Sequence, residues 1–576
     1  MRLTEALKVL NEAGSSGESA FSVLLACGFT PLHLETFLRA HLQKSLPRQR
    51  AKVATGLFGD VAGTLERDPS GDTEAVAVAL EWPDLDSRLG YRSLGGWRPA
   101  EEAEITDQVT ATLHRLGDAI ERLCRTIPVA VSLPSLPLPP AFHQPGWEAG
   151  KVELGILAQV AQFATQLTDC CHGVSIANPN RLLEQSPFGA RLNLQSELLT
   201  GHPYSVPHAD AIGAALARLI APVPSKKGLI TDIDDTVWSG LVGEIGPDAV
   251  AWGLDNHAQL HGLYQQTLAA LAGQGVLLGV ATKNNSDVVE QAFRRRDIRL
   301  SRDTIFPLEA NWGPKSESVG RILAAWNFGP DSVVFIDDNP MELAEVKAAW
   351  PEIDCLLFPK NDHLAMLVLL RTLRDLFGKH RLTDEDRFRL SSVRAAADVP
   401  REHSQTCRQD EFLSQAKGTL TVQFEPPLAD PRILELVNKT NQFNLNGVRH
   451  TEAEWRRRFE AASFLLLASY EDKFGPLGKI AVLAGQREDG ALRLSTWVMS
   501  CRAFSRRIEY GIMTLLFSHF GVAELRFDFA VTPKNGPFQS CFAAFVGTVP
   551  EGPFSVTREQ FEKYRPRLYF EVETIL

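Results

Sequence analysis

Long apolar runs, paired-cysteine motifs and an excess of basic residues are all missing from this chain, and each absence removes a class of protein. No apolar stretch reaches the roughly 18 residues needed to cross a bilayer. The first residues, MRLTEALKVLNEAG, read as an amphipathic helix without the long apolar core of a signal peptide. The eight cysteines (Cys27, Cys124, Cys170, Cys171, Cys355, Cys407, Cys501 and Cys541) form no C-x-x-C pair. That spacing argues against a zinc site and a disulfide framework, and implies a reduced, cytoplasmic protein with no membrane partner. The formal charge of −11 argues against a nucleic-acid partner. No internal repeat or low-complexity tract is visible. What remains is ordinary for a globular protein: 576 residues, 44% apolar and 22% charged, too long for one core, so three or more domains are expected.

Two proline-rich stretches punctuate the first half. Ser132–Pro140 reads as a loop, and Ala221-Pro-Val-Pro-Ser-Lys-Lys-Gly228 as a domain boundary, because a strand follows at once. The segment 225–380 alternates strand and helix, with strands expected at 228–233, 275–281, 332–337 and 354–358. Between the first two, Leu260, Leu263, Tyr264, Thr267, Leu268 and Leu271 recur at helical period. Such alternation means βαβ units and a parallel sheet, whose ligands bind at the carboxyl ends of the strands. Residues 381–420 are polar and helix-like and read as a connector. Beyond 421 the expected strands are 464–470, 478–484, 491–499 and 523–529, with a helix near 505–520. This α+β texture resembles an acetyltransferase-like (GNAT) fold. Residues 1–220 show a strand at 22–27 and a helix near 31–43, then further alternation, as in a flavodoxin-like or SGNH-hydrolase-like α/β domain. An SGNH hydrolase places a serine nucleophile just after the first strand. Here the stretch is Cys27-Gly28-Phe29-Thr30, with a candidate base in His202–His208. A scaffold or docking role is the default expectation for this domain.

The chemistry concentrates in Gly228-Leu-Ile-Thr-Asp-Ile-Asp-Asp-Thr236, where an apolar strand runs into three aspartates. Crowding carboxylates at a strand end costs folding energy unless a cation and a phosphate offset it. Four elements follow in order. Asp232 is a nucleophile able to form an aspartyl phosphate, and Asp234 a general acid/base. Thr282, in Ala281-Thr-Lys-Asn284, offers a hydroxyl to phosphoryl oxygens. Lys315, in Asn311-Trp-Gly-Pro-Lys315, neutralises developing charge. Asp337-Asp338 completes a Mg²⁺ shell with Asp232 and the backbone carbonyl of Asp234. Asp338 with Glu342 fits a D-x-x-x-[D/E] spacing and is the favoured ligand of the two. Singly, each has a plain explanation as a turn, cap or surface residue. Their joint occurrence at successive strand ends carries the reading.

The D-x-D-x-T block resembles the haloacid dehalogenase (HAD) superfamily of phosphotransferases. Asp232-Ile-Asp-Asp-Thr-Val-Trp-Ser-Gly-Leu-Val-Gly-Glu244, Thr282-Lys-Asn284, Asn311–Lys315 and Phe335-Ile-Asp-Asp-Asn-Pro340 resemble, more narrowly, the FkbH-like family, subclass IIIC. Asn438-Lys-Thr-Asn-Gln-Phe-Asn444, Met499-Ser-Cys-Arg502 and Pro533-Lys-Asn535 extend the resemblance over about 225–576. It implies a glyceryltransferase/phosphatase of polyketide-type pathways. Such an enzyme takes a 1,3-bisphosphoglycerate-derived three-carbon unit, releases phosphate, and loads the acyl group on the phosphopantetheine arm of an acyl carrier protein. It further implies substrate contacts from Thr236, Trp238, Lys283, Asn284, Asn441, Gln442 and Arg502, and a covalent acyl stop on Cys501. Arg502, Arg506, Arg507 and the start of the following helix would favour a Cys501 thiolate. The alternative is a small buried cysteine at a strand end. The Asn438–Asn444 amides and Lys439 either orient an acyl chain or cap a helix and fill a turn. Two features depart from the pattern. Ala281 stands where many members carry another small residue or Cys, and Arg502–Arg507 lacks glycines, which disfavours coenzyme A relative to a carrier arm. A plain phosphohydrolase with a substrate-selecting C-terminal domain, and a binding protein without turnover, are the competing readings.

Overall fold

The computed structural model describes residues 1–12, 20–47, 49–93, 102–140, 144–171, 173–380, 382–397, 413–414, 416–427, 430–460, 462–473, 475–500, 503, 506–532 and 535–575. Its contacts divide the chain into two compact units: Met1–Val223 with Thr451–Arg457, and Pro224–His450 with Arg458–Leu576. No helix among the described residues is long and apolar enough to cross a membrane.

The first unit is built on a parallel sheet of β1 (Ala20–Ala26), β2 (Arg50–Thr55), β3 (Thr73–Ala79), β4 (Val129–Ser132) and β5 (Val174–Ile176), in the order β2-β1-β3-β4-β5. That strand order is flavodoxin-like. β3 and β4 are almost wholly buried, as central strands covered on both faces must be.

The second unit holds two sheets. The first comprises β6 (Gly228–Thr231), β7 (Leu277–Thr282), β8 (Ile305–Ala310), β9 (Val333–Asp337) and β10 (Asp354–Leu357), all parallel, in the order β10-β9-β6-β7-β8. β6, β7 and β9 are buried at every position. β8 was not anticipated. It carries Pro307 and lies at the sheet edge, where a residue without an N–H is tolerated. The helix between β6 and β7, Gln259–Gly273, buries Leu260, Tyr264, Leu268 and Leu271, but of the expected face Leu263 is exposed and Thr267 half-buried.

The second sheet is mixed and mostly antiparallel. It contains β11 (Gly418–Phe424), β12 (Phe443–Asn444), β13 (Phe464–Asp472), β14 (Gly475–Glu488), β15 (Ala491–Met499), β16 (Glu524–Phe527), β17 (Phe554–Thr557) and β18 (Phe570–Ile575). The order is β17-β16-β15-β14-β13-β11-β18, with β12 on β15. This is the α+β character read from the sequence, although β11, β12, β17 and β18 were not anticipated. The helix expected near 505–520 runs from Ile508 to Phe520. The 381–420 segment contributes the helix Asp384–Ala397 and the start of β11.

Candidate active site

The carboxyl ends of β6, β7 and β9 meet at one tip of the parallel sheet. Asp232 follows β6, Thr282 closes β7 and Asp337 closes β9, while Lys315 opens the helix Lys315–Trp326. An amide of Asp232 donating to the Ile336 carbonyl (2.9 Å) ties the first tip to the third. The helix is set against the sheet by Trp326. Its ring covers Gly228 and Gly279, where a Cβ would come within 2.4 and 2.9 Å of the indole.

Lys315 is buried and holds two carboxylates, with its Nζ 2.9 Å from Asp232 Oδ1 and 2.6 Å from Asp337 Oδ2. Burial works to depress the ammonium's pKa, but Asp232 and Asp337 outweigh it and hold the pKa raised. Burial raises both carboxyls, against the pull of Lys315. Asp232, Asp337 and Asp338 each bring an oxygen within 4.8 Å of the others. Apart from its ion pair, Asp232 Oδ1 is buried without a hydrogen-bond partner. Hard oxygens, clustered and incompletely satisfied, suit a divalent cation such as Mg²⁺. Asp337 and Asp338 both belong to this cluster, whereas Glu342, paired with Asp338 in the spacing argument, is engaged by Lys283 at 2.7 Å.

Asp234 is turned away from the three. Its Oδ1 accepts from Trp238 Nε1 (2.9 Å) and from the Val242 amide (3.2 Å), and its Oδ2 from Asn284 Nδ2 (3.0 Å). Both of its carboxylate oxygens are thus engaged within the protein. Trp238 corrects the sequence assignment: the ring is fully buried in the core, so it positions Asp234 rather than touching substrate. Asn284 also donates to Thr282 Oγ1 (3.1 Å), and Thr236 Oγ1 lies 3.4 Å from Asp338 Oδ1. Lys283 is committed to Glu342 rather than free for substrate.

Sequence reasoning missed Lys360. Its Nζ bridges Asp235 Oδ2 (2.8 Å) and Asp338 Oδ2 (2.5 Å), adding a second cation to the rim. Burial pushes the Asp235 carboxyl up, but Lys360 and the Gly240 amide outweigh it and hold the pKa low. Asp235 has φ = 53°, the left-handed region that Asp tolerates better than most residues, and this turns the chain out of the strand. Lys360 stands far along the chain with no motif around it, so no local signal points to it.

In the C-terminal sheet, Cys501 and Arg502 lie outside the described residues, as do Pro533 and Lys534. Two of the expected thiol-activating cations are otherwise engaged. Arg506 is buried against Asp472 (2.8 Å), and Arg507 donates to the Arg567 carbonyl. The helix begins at Ile508, three residues later than expected. Of the Asn438–Asn444 signature, Asn438 clamps both the amide and the carbonyl of His450, and Asn444 accepts from the Asn446 and Gly447 amides in a turn. Asn535 is fully buried and donates to the Asn444 carbonyl. Asn441 accepts from Arg449, and Gln442 Oε1 is buried without a partner. The turn-and-cap alternative therefore describes Asn438 and Asn444, while Gln442 keeps an unused acceptor.

At the tip of the first unit's sheet, a Cβ at Gly28 would meet Asp84 Oδ1 at 1.8 Å, so a carboxylate fills the space after β1. Burial, with help from Asp84, pushes the Cys27 thiol up to about 12, far from a reactive thiolate. The Thr30 hydroxyl is spent on the Thr200 carbonyl. His208 sits between Ser135 and Ser186, its pKa pushed down to about 3 by burial and Arg191. His202 Nδ1 meets the Thr30 carbonyl. No activated nucleophile stands in the Cys27–Thr30 stretch.

No family model and no curated protein matches the chain. Among solved structures, it is similar to the N-terminal part of BF1531 from Bacteroides fragilis, which contains a phosphatase domain and was crystallised with Mg. The identity is 20% and the TM-score 0.51, over 65% of this chain and 98% of that one. The salicylyl-acyltransferase SsfX3 from a tetracycline biosynthetic pathway aligns at 12% identity and a TM-score of 0.22, over 36% of this chain and 55% of that one. At that identity the first likeness is one of fold.

Proposed function

We propose that the protein is a magnesium-dependent phosphatase/acyltransferase of the FkbH-like kind. It would take an acyl phosphate of the 1,3-bisphosphoglycerate type and load the three-carbon unit as a thioester on an acyl carrier protein. The observation that carries the phosphoryl-transfer half is the convergence of Asp232, Asp337 and Asp338 oxygens within 4.8 Å beside a buried lysine. The Mg complex of the Bacteroides fragilis neighbour supports the choice of ion. The sequence signatures at Asn438–Asn444 and Met499–Arg502 support the acyl half.

In this reading Asp232 attacks the phosphorus of the C3 phosphate monoester, displacing the C3 alcohol oxygen, and becomes an aspartyl phosphate, which water then hydrolyses; the acyl phosphate is kept for a thiol, whose attack on the C1 carbonyl forms the thioester and releases the second phosphate. Asp234, held by Trp238, Val242 and Asn284, protonates the leaving oxygen and later deprotonates the water. Lys315 keeps its charge among the carboxylates and offsets the charge on the phosphoryl oxygens. Thr282, whose Oγ1 accepts from Asn284, keeps its own O–H to donate to those oxygens. Asp232, Asp337, Asp338 and the Asp234 carbonyl would hold Mg²⁺, which supplies further neutralisation when bound. The test is the intact mass of a holo carrier protein after incubation with the enzyme, 1,3-bisphosphoglycerate and Mg²⁺. A glyceryl mass gain is expected. No gain with any phosphoglyceroyl or lactoyl donor would remove the transferase half.

One observation favours a plain phosphohydrolase. Arg506, wanted as an activator of Cys501, has its charge matched by Asp472. In that case Cys501→Ala leaves phosphate release unchanged and no acyl adduct forms on any cysteine.

A further inference from the structure

A second charged site lies at the opposite end of β6. A cleft of about 60 Å³ is lined by Lys227, Arg389, Arg432, Glu435, Lys439 and Ser500. Lys227 stands just before β6, Arg389 on the helix Asp384–Ala397, and Arg432, Glu435 and Lys439 on the helix Pro431–Lys439. That volume holds a few waters or one small oxyanion, and no whole metabolite.

The charges do not balance. Glu435 accepts from Arg432 Nη1 (2.8 Å) and from Lys439 Nζ (3.1 Å), and so serves two cations. Burial would raise its carboxyl, but Arg432 and Lys439 outweigh it. Asp386 serves Arg389 (2.5 Å) and Lys379 (2.7 Å) in the same way. Lys227 reaches the Lys439 carbonyl at 3.3 Å and lies over the Phe328 ring. Among the described residues, Arg389, Lys379, Arg432 and Lys439 thus share two carboxylates, leaving a surplus of two positive charges around a half-closed space. Arg432 is 8% exposed, and its Nε has no hydrogen-bond partner. A buried guanidinium with an unused N–H wants an acceptor, and a planar fork of this kind suits a phosphate oxygen.

We propose that this cleft is a phosphate-binding site, separate from the acidic centre, that seats the phosphate group of a ligand serving the C-terminal domain. A phosphate dianion would cancel most of the surplus charge and give Arg432 Nε its acceptor. Ser500 lines the cleft next to Cys501 in the chain. Resting on the proposed function, the bearer of that phosphate is the phosphopantetheine arm, whose thiol end would then lie in the acyl-transfer domain. The competing source of the same chemistry is a free phosphorylated metabolite.

The test is calorimetric titration of the full-length protein in EDTA, so that no divalent cation supports phosphate at the acidic centre. The ligands are inorganic phosphate, 4′-phosphopantetheine and 3-phosphoglycerate in turn. At physiological ionic strength, saturable phosphate binding is expected, weakened at least tenfold in Arg432→Gln, tightened in Glu435→Gln and unchanged in Asp232→Asn. A merely structural role for Glu435 would not give tightening. Tighter binding of 4′-phosphopantetheine than of 3-phosphoglycerate assigns the bearer as stated; the reverse order overturns that assignment and keeps the phosphate site. Absence of saturable binding, or binding lost in Asp232→Asn and untouched in folded Arg432→Gln, overturns the site. Because the readout is binding, failure of carrier loading does not imitate either result.

Discussion

Lys315 is the residue on which the acidic centre turns. It serves two buried carboxylates at once, so removing it leaves both uncompensated. Lys315→Met should destabilise the metal-free protein by about 3–5 kcal/mol and abolish phosphate release. Thermal melts with and without Mg²⁺ check this, since an added cation should recover part of the loss. An unchanged melting temperature would mean that the lysine is not structurally paired. Trp238 makes a different kind of contribution. Trp238→Phe keeps an aromatic ring in the core but removes the donor to Asp234 Oδ1. We expect kcat for phosphate release to fall roughly 10- to 100-fold with little change in KM; steady-state kinetics decide it. Both residues show what a sequence discloses. Asp232 and Asp234 were legible because a buried strand running into charge is costly without a function, and Lys315, at a helix start, only because it occurs in order with the other elements. Trp238 was misassigned because an aromatic next to D-x-D looks like a substrate contact until its burial is known. Lys360 was illegible because its meaning lies only in the two aspartates it bridges.

At the scale of elements, the acidic centre depends on how the helix Lys315–Trp326 sits on its sheet. Trp326 lies flush against Gly228 and Gly279, and Lys315 is at the other end of the same helix. Gly279→Ala should lift the indole, cost about 1–3 kcal/mol, and lower phosphate release by displacing Lys315. Chemical denaturation together with a turnover assay separates the two effects. The helix Pro431–Lys439 makes a pH prediction. Glu435 is held at about 2 against an ordinary 4.5, so its contribution is complete above pH 4.5 and fades as the pH falls towards 2. The contribution is about 3 kcal/mol at most, and Glu435→Gln should flatten the acid limb of a stability–pH curve. Element types were readable where period and burial agree, as in β6, β7 and β9. They were lost at sheet margins: β8 carries a proline, and β18 is exposed at nearly every position, so neither shows a buried strand's pattern.

The whole molecule comprises two compact units with separate cores, and the acidic cluster belongs to the second alone. Mg²⁺ at 100 times its dissociation constant should stabilise that unit by about 2.7 kcal/mol and leave the first unit's transition where it was. Differential scanning calorimetry in Mg²⁺ and in EDTA tests this, and a shift of both transitions would contradict it. The division at Val223 was visible in the prolines before β6, but the assignment of Thr451–Arg457 to the first unit was not, because nothing local marks a segment that groups with residues distant in sequence. One consequence concerns screening. Lys227 and Asp232 flank β6 at its two ends, about 17 Å apart at the rise of an extended chain. In physiological salt, where fields decay over about 8 Å, the basic and acidic ends act independently. In dilute buffer, with a reach of about 30 Å, each would feel the other's sign, so anion uptake at one end should depend on ionic strength in a way that neutralising the far aspartates would reshape.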